Sequence, residues 1–204
     1  MSKTNKTTIA ATIAVAIPGT MAYPSSQRYG AASQSLHWLT ALLLLTAFIY
    51  GPGGSEHSVY AASRDAERQL HETLGMAVFA ISALRLTWRW FAHRPIPGAQ
   101  PRWMRVASKV AHGMLYFLLF ALPMTAIAGA WLEGHSITLL ANIVLPSPVP
   151  ASHALGDTIA TIHTWLGDAI VWLAGAHALA ALGHHFLLKD RVLVSMLPRW
   201  IHRG

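Results

Sequence analysis

Residues 156–188 read GDTIATIHTWLGDAIVWLAGAHALAALGHHFLL. The run is long and apolar enough to form one membrane-spanning helix, and it carries two histidines at its flanks, His163 and His177. Fourteen residues of helix correspond to about 3.9 turns and roughly 21 Å of rise. Both side chains therefore fall on nearly the same face, one towards each side of a hydrocarbon layer about 30 Å thick. Two stacked metal sites need such an arrangement, provided that other helices supply partners at both levels.

Composition agrees with a membrane setting. Of the 204 residues, 53% are hydrophobic and only 11% are charged, whereas a soluble domain carries about 25% charged residues. The absence of cysteine excludes disulfides, thiolate zinc sites, iron–sulfur clusters, cysteine catalysis and thioether-linked haem. Twelve histidines are present, and a histidine within a membrane span is a functional candidate by default.

Working outward, three further apolar segments appear. The first covers 33–51 and stops at Pro52-Gly53-Gly54; the second covers 69–91 and stops before Pro95; the third covers 107–131 and contains Pro123. With 156–188 they predict an all-α, transmembrane four-helix bundle. Basic residues set its orientation. Arg85, Arg89, Arg94, Arg102, Arg105 and Lys109 surround the second connection with no acid among them. Lys189, Arg191, Arg199 and Arg203 follow the last segment, and Lys3, Lys6 and Arg28 precede the first. Both termini are therefore expected in the cytoplasm. The net charge of +7 is mostly this inner collar, so no nucleic-acid partner is expected, and membrane lipid is.

Residues 1–27 read as an N-terminal extension, with a weak, uncleaved signal-like run in 1–23, and 28–204 as a single transmembrane domain. The outer connection 132–156 is long, and residues 136–145 are expected to form a short interfacial helix ended by Pro146, Pro148 and Pro150.

Depth sorts the histidines. His37 lies near the inner end of the first segment and His71 near the outer end of the second. Antiparallel packing then pairs His37 with His177 at the inner level and His71 with His163 at the outer level. Imidazoles facing each other across a bundle match bis-histidine haem ligation, which fills both axial positions and favours electron transfer. A porphyrin lying against its ligand helix also needs a small residue one turn away on the same face. Ala41, Gly75, Gly167 and Ala181 stand four residues after the four histidines. Zinc fits less well, because neither pair has a third ligand.

His112, with Tyr116 at i+4, is a candidate second-shell or quinone residue, or a hydrogen-bonded histidine of the inner end. Arg85 lies 14 residues after His71, at the inner level. It either pairs with haem propionates or snorkels to the interface. His184 and His185 sit at the inner end of the last segment. His57, His93, His135, His153 and His202 are expected in solvated loops or tails.

The stretches SLHW (35–38), LHETLG (70–75), AHGMLYFLLFALP (111–123), IHTWLG (162–167), AHALAALGHHFLLKD (176–190) and MLPR (196–199) resemble the small four-helix bacterial cytochrome b561 proteins. The resemblance runs from about Arg28 to Pro198. It implies two haem b groups with His37, His71, His163 and His177 as axial ligands to iron. It also implies a multi-pass protein of the bacterial inner membrane that passes electrons to ubiquinone. Members resemble superoxide oxidases, so the implied activity is that of a superoxide:quinone oxidoreductase. The alternative donor is a redox partner protein, a dehydrogenase or hydrogenase for which the chain would be the membrane anchor. A third reading, haem or metal transport, predicts an open pore, against which the paired histidines argue. On the outer side Arg64 and Arg68 stand against Glu56, Asp65, Glu67, Glu133 and Asp157, so any steering of an anion rests on those two arginines.

Overall fold

A computed structural model describes residues 28–53, 56–92 and 101–198. Its frame is four long helices: α1 (Ala31–Ile49), α3 (Asp65–Phe91), α4 (Arg102–Glu133) and α5 (His153–Phe186). Two short ones, α2 (Glu56–Val59) and α6 (Val192–Met196), lie in the connections. Expectations for residues 1–27, His93 and His202 fall outside the described residues.

Helices α3 and α4 begin ahead of their apolar segments, while α1 and α5 are shifted, starting two or three residues early and ending two residues early. Helix α3 starts at Asp65 and α4 at Arg102, because arginine, lysine and glutamate are good helix formers and continue a helix into the polar region. Apolarity marks the membrane layer; it does not mark where a helix ends. By length and composition, three helices are able to cross a membrane: Ala31–Ile49, Arg102–Glu133 and His153–Phe186. Helix α3 has the length, at 27 residues, but carries Asp65, Glu67, Arg68, Glu72, Arg85 and Arg89. Leu42, Ile49, Phe117, Met124, Trp172 and Leu179 point outward and exposed. An apolar exterior of this extent suits lipid and not water, so the chain is an integral membrane protein.

Packing divides the frame into two antiparallel helix pairs, α1 with α3 and α4 with α5, joined more loosely through α3 and α4. The core lies midway along them. Val78, Leu118, Leu119 and Ile170 are buried there, with Leu43, Leu44, Leu122 and Leu166 around them. Helices α4 and α5 approach closely where Gly156 faces Glu133. A Cβ on Gly156 would come within 2.8 Å of the Glu133 backbone nitrogen. Helix α4 ends at Gly134, whose φ of +89° allows the bond from His135 N–H to the Ala130 carbonyl, 2.9 Å, a closure that favours glycine.

The connection after α4 corrects the expected helix at 136–145. It forms an antiparallel hairpin, β1 (Ile137–Leu139) and β2 (Ile143–Leu145), with Ile137 opposite Leu145. The fold is therefore helical with one small sheet. Two short β-branched runs, ITL and IVL, flank a turn in which Ala141 and Asn142 take positive φ. Asparagine tolerates that region, and ten residues are too few for a stable isolated helix. The hairpin is fastened to α3: Thr138 N–H donates to the Glu72 carboxylate and Leu140 N–H to Thr73 Oγ1, 2.8 Å.

At the opposite end, α6 folds back onto the start of α1. Arg28 donates to the carbonyls of Val194 at 3.0 Å and Leu197 at 3.2 Å, Gln34 to Ser195 at 3.0 Å, and Trp38 Nε1 to Met196 at 2.9 Å. These bonds hold Arg28 and Leu197 at the same end of the bundle.

The close approach at Gly156 gives a test. Gly156→Ala should destabilise the α4–α5 pair by about 1–3 kcal/mol, the usual cost of overpacking, read as an earlier unfolding transition of the detergent-solubilised protein.

Candidate functional site

Helix α5 places His163 and His177 fourteen residues apart, with the buried Ile170 midway between them. Helix α3 repeats the spacing with His71, the buried Val78 and Arg85. Two histidine levels thus lie above and below one apolar layer. The four expected histidines come together in the expected pairs. His71 and His163 have ring centroids 6.2 Å apart, and His37 and His177 6.4 Å apart.

Hydrogen bonds set the tautomers at the first level. His71 Nδ1 lies 2.8 Å from the Ala47 carbonyl, and His163 Nδ1 2.9 Å from the Leu122 carbonyl. A carbonyl only accepts, so each Nδ1 carries the hydrogen and each Nε2 is a bare lone pair. The Ala47 carbonyl is free for this because it lies in the last turn of α1, where carbonyls lose their intrahelical partners; Gly51 N–H bonds to the Phe48 carbonyl instead. Thr125 Oγ1 stands 3.3 Å from His163 Nδ1.

Between these rings lies a cleft lined by His71, Gly75, Met76, His163, Gly167 and Ile137 among others. Its walls are apolar. A Cβ added at Gly75 would meet nothing within 4 Å, and one at Gly167 only Leu122 Cδ2 at 4.0 Å. The space one turn from each histidine is therefore open, as a flat macrocycle against both helices requires. Metal–imidazole bonds of about 2.0–2.1 Å, with about 1 Å more from nitrogen to ring centre, hold two ligand rings about 6 Å apart. Both pairs have that separation, too long for the rings to bond each other. Among the described residues no cluster of three or more His, Cys, Asp or Glu forms a cage for a bare ion, so the residues present fit a group that brings its own equatorial ligands.

The second level is arranged differently. His37 Nδ1 is buried with no hydrogen-bond partner among the described residues. Trp38 packs edge-on to His37 at 5.4 Å, and His112 edge-on to His177 at 5.2 Å. His112 Nδ1 donates to the Ser108 carbonyl at 2.6 Å. Arg85 lies over the Tyr116 ring at 5.5 Å, with Arg89 at 5.9 Å from the same ring.

Other histidines diverge from the sequence reading. His184 pairs with Asp190, whose other oxygen accepts Val192 N–H at 3.1 Å, which ties α5 to α6. His135 is not simply solvated: it is half-buried and stacks on Tyr60 at 3.5 Å. Tyr60 in turn lies under Arg68, 5.1 Å from its ring. Arg68 is bridged to Asp65 at 2.7 Å and Glu72 at 3.0 Å. Sequence reasoning missed this network, although an acid directly after His71 in an apolar segment was a signal.

The profile of the prokaryotic cytochrome b561 family matches residues 28–199. Cytochrome b561 homolog 2 of Escherichia coli is 30% identical over 85% of this chain and 93% of its own length. The protein of Yersinia pestis named "Probable superoxide oxidase CybB" is 29% identical over 85% of this chain and 97% of its own. Cytochrome b561 homolog 1 of E. coli is 32% identical over 84% and 98%. The chain belongs to the prokaryotic cytochrome b561 family, membrane cytochromes that bind haem b.

Gly75→Leu tests the cleft as the seat of a cofactor. The leucine meets open space, so the variant should keep its helical circular dichroism while losing b-type absorbance per chain. Full retention of that absorbance would contradict the assignment.

Proposed function

We propose that the protein is a di-haem membrane oxidoreductase of the bacterial inner membrane that moves electrons from a donor on the outer side to ubiquinone. His71 and His163 would hold the outer haem, and His37 and His177 the inner one. The observation that carries this reading is the ring separation of 6.2 Å and 6.4 Å in two independent pairs. Helix α3 is the fourth span in this reading; its 27 residues correspond to about 40 Å of helix, and its charged residues cluster towards its ends. The common end of Arg28 and Leu197, surrounded by basic residues, is assigned to the cytoplasm.

Haem b, held by these histidines, would supply a one-electron couple suited to electron transfer. The chain does the rest. His71 and His163 are pre-oriented by their carbonyl bonds, which also raise ligand basicity. Ile170 and Val78 keep the layer between the levels dry. Ile137 and the hairpin cover the outer cleft, so that the donor reaching it is small. Arg85 is assigned to the propionates of the inner haem, with Tyr116 holding the guanidinium in place.

Superoxide is the preferred donor, supported by the Yersinia pestis relative. The balance is two superoxide anions oxidised to dioxygen for each ubiquinone that takes two electrons and two protons. A second reading, an electron-transfer anchor for a partner dehydrogenase or hydrogenase, is favoured by Ile143 and Val144, which are exposed on the hairpin as a docking surface would be.

Stopped-flow mixing of purified protein with superoxide, without a partner, separates the two. We expect rapid appearance of the reduced b-type spectrum, and reoxidation on adding a soluble ubiquinone. His71→Ala should slow reduction at least tenfold. No reduction of the wild-type protein would rule out superoxide as donor and favour the anchor.

A further inference from the structure

We propose that His112 is a positioning residue for the inner site: it accepts a hydrogen bond from the ring of His177 and so fixes which nitrogen His177 offers to iron. The inference rests on the reading that His37 and His177 hold a haem.

Three imidazoles stand in a row at this level, and their spacings differ. His37 and His177 are 6.4 Å apart, the separation of two rings sharing a metal, whereas His177 and His112 are 5.2 Å apart. An N–H···N bond of about 3 Å, with about 1 Å from each nitrogen to its ring centre, gives about 5 Å. The shorter spacing leaves no room for a metal: the rings meet edge-on at 78°, and a rotation of either about its Cβ–Cγ bond turns a nitrogen towards its neighbour.

Polarity follows from the neighbouring contact. His112 Nδ1 faces the Ser108 carbonyl at 2.6 Å, which obliges that nitrogen to carry the hydrogen. Nε2 of a neutral His112 is then an acceptor. His177 lacks the backbone acceptor that His71 and His163 each have: among the described residues no carbonyl receives its ring N–H. A ligating histidine almost always donates its second nitrogen to a carboxylate, a carbonyl or water. At this level the side chain within reach is His112.

The consequence is an asymmetry. The outer ligands are tuned by main-chain carbonyls, which no side-chain substitution removes. The inner ligand is tuned by one side chain. Losing the acceptor makes His177 a poorer donor to iron and favours the reduced state, so the potential of that centre alone should rise.

The test is a spectroscopic redox titration of the full-length holoprotein and of His112→Ala and His112→Gln. In His112→Ala we expect one of two b-type centres to shift upward by about 59 mV, corresponding to a tenfold change for a one-electron couple, with the other unmoved. Haem retention at the shifted centre should fall on the order of 10–100-fold against a competing apoprotein. His112→Gln, which keeps an acceptor, should restore part of both and covers the case in which the alanine variant does not fold. Unchanged potentials in both variants would overturn the proposal, as would equal shifts of both centres. If unchanged potentials came with impaired ubiquinone reduction, His112 would be a quinone contact. Wild-type protein without two b-type centres would instead overturn the di-haem reading, before any variant is compared.

Discussion

A neutral imidazole has one hydrogen and one lone pair, and the fold commits the hydrogens of His71 and His163. With the Ala47 and Leu122 carbonyls each holding a ring N–H, His71 and His163 turn bare nitrogens towards an apolar cleft. Two bare acceptors facing an apolar cleft are poorly solvated and suit an electron-poor centre between them. Much of the bundle serves this constraint: the end of α1 supplies one carbonyl, α4 the other, and the glycines at 75 and 167 leave the space.

The second determinant is the period of α5. Seven residues advance a helix by nearly two turns, so His163, Ile170 and His177 stay close to one face. Ile170, the most completely buried large side chain of the core, fills the layer between two polar levels. A single straight helix therefore fixes the separation of the two sites and the apolar barrier between them. Helix α5 packs loosely against α1 and α3 and tightly on α4.

Much of this was legible in the residues because it depends on local periodicity. The face shared by His163 and His177, the small residue four places after each histidine and the depth of each along its segment are all helical arithmetic. The helix ends were less legible, since Arg102, Arg105 and Lys109 continue a helix beyond the apolar run. The hairpin was misread because its stability comes from contacts distant in sequence. Residues 137–145 are held by Glu72 and Thr73 across some 66 positions, and no pattern within the loop announces that. His135 on Tyr60, and the ring of His112 beside His177, belong to the same class: tertiary contacts between residues whose local context is unremarkable.

The two levels also differ in how firmly they are built. At the His71–His163 level both rings are anchored to main chain, while at the His37–His177 level His37 Nδ1 has no hydrogen-bond partner among the described residues and His177 meets the ring of His112 edge-on. The central claim is that both levels hold the same kind of centre. The most direct measurement is the haem-to-protein ratio of the full-length, detergent-purified chain, combined with low-temperature electron paramagnetic resonance of the oxidised form. Two haem b per chain, both low-spin as bis-histidine ligation requires, is the predicted result. A ratio of one or zero, or a high-spin signal from either centre, would contradict it.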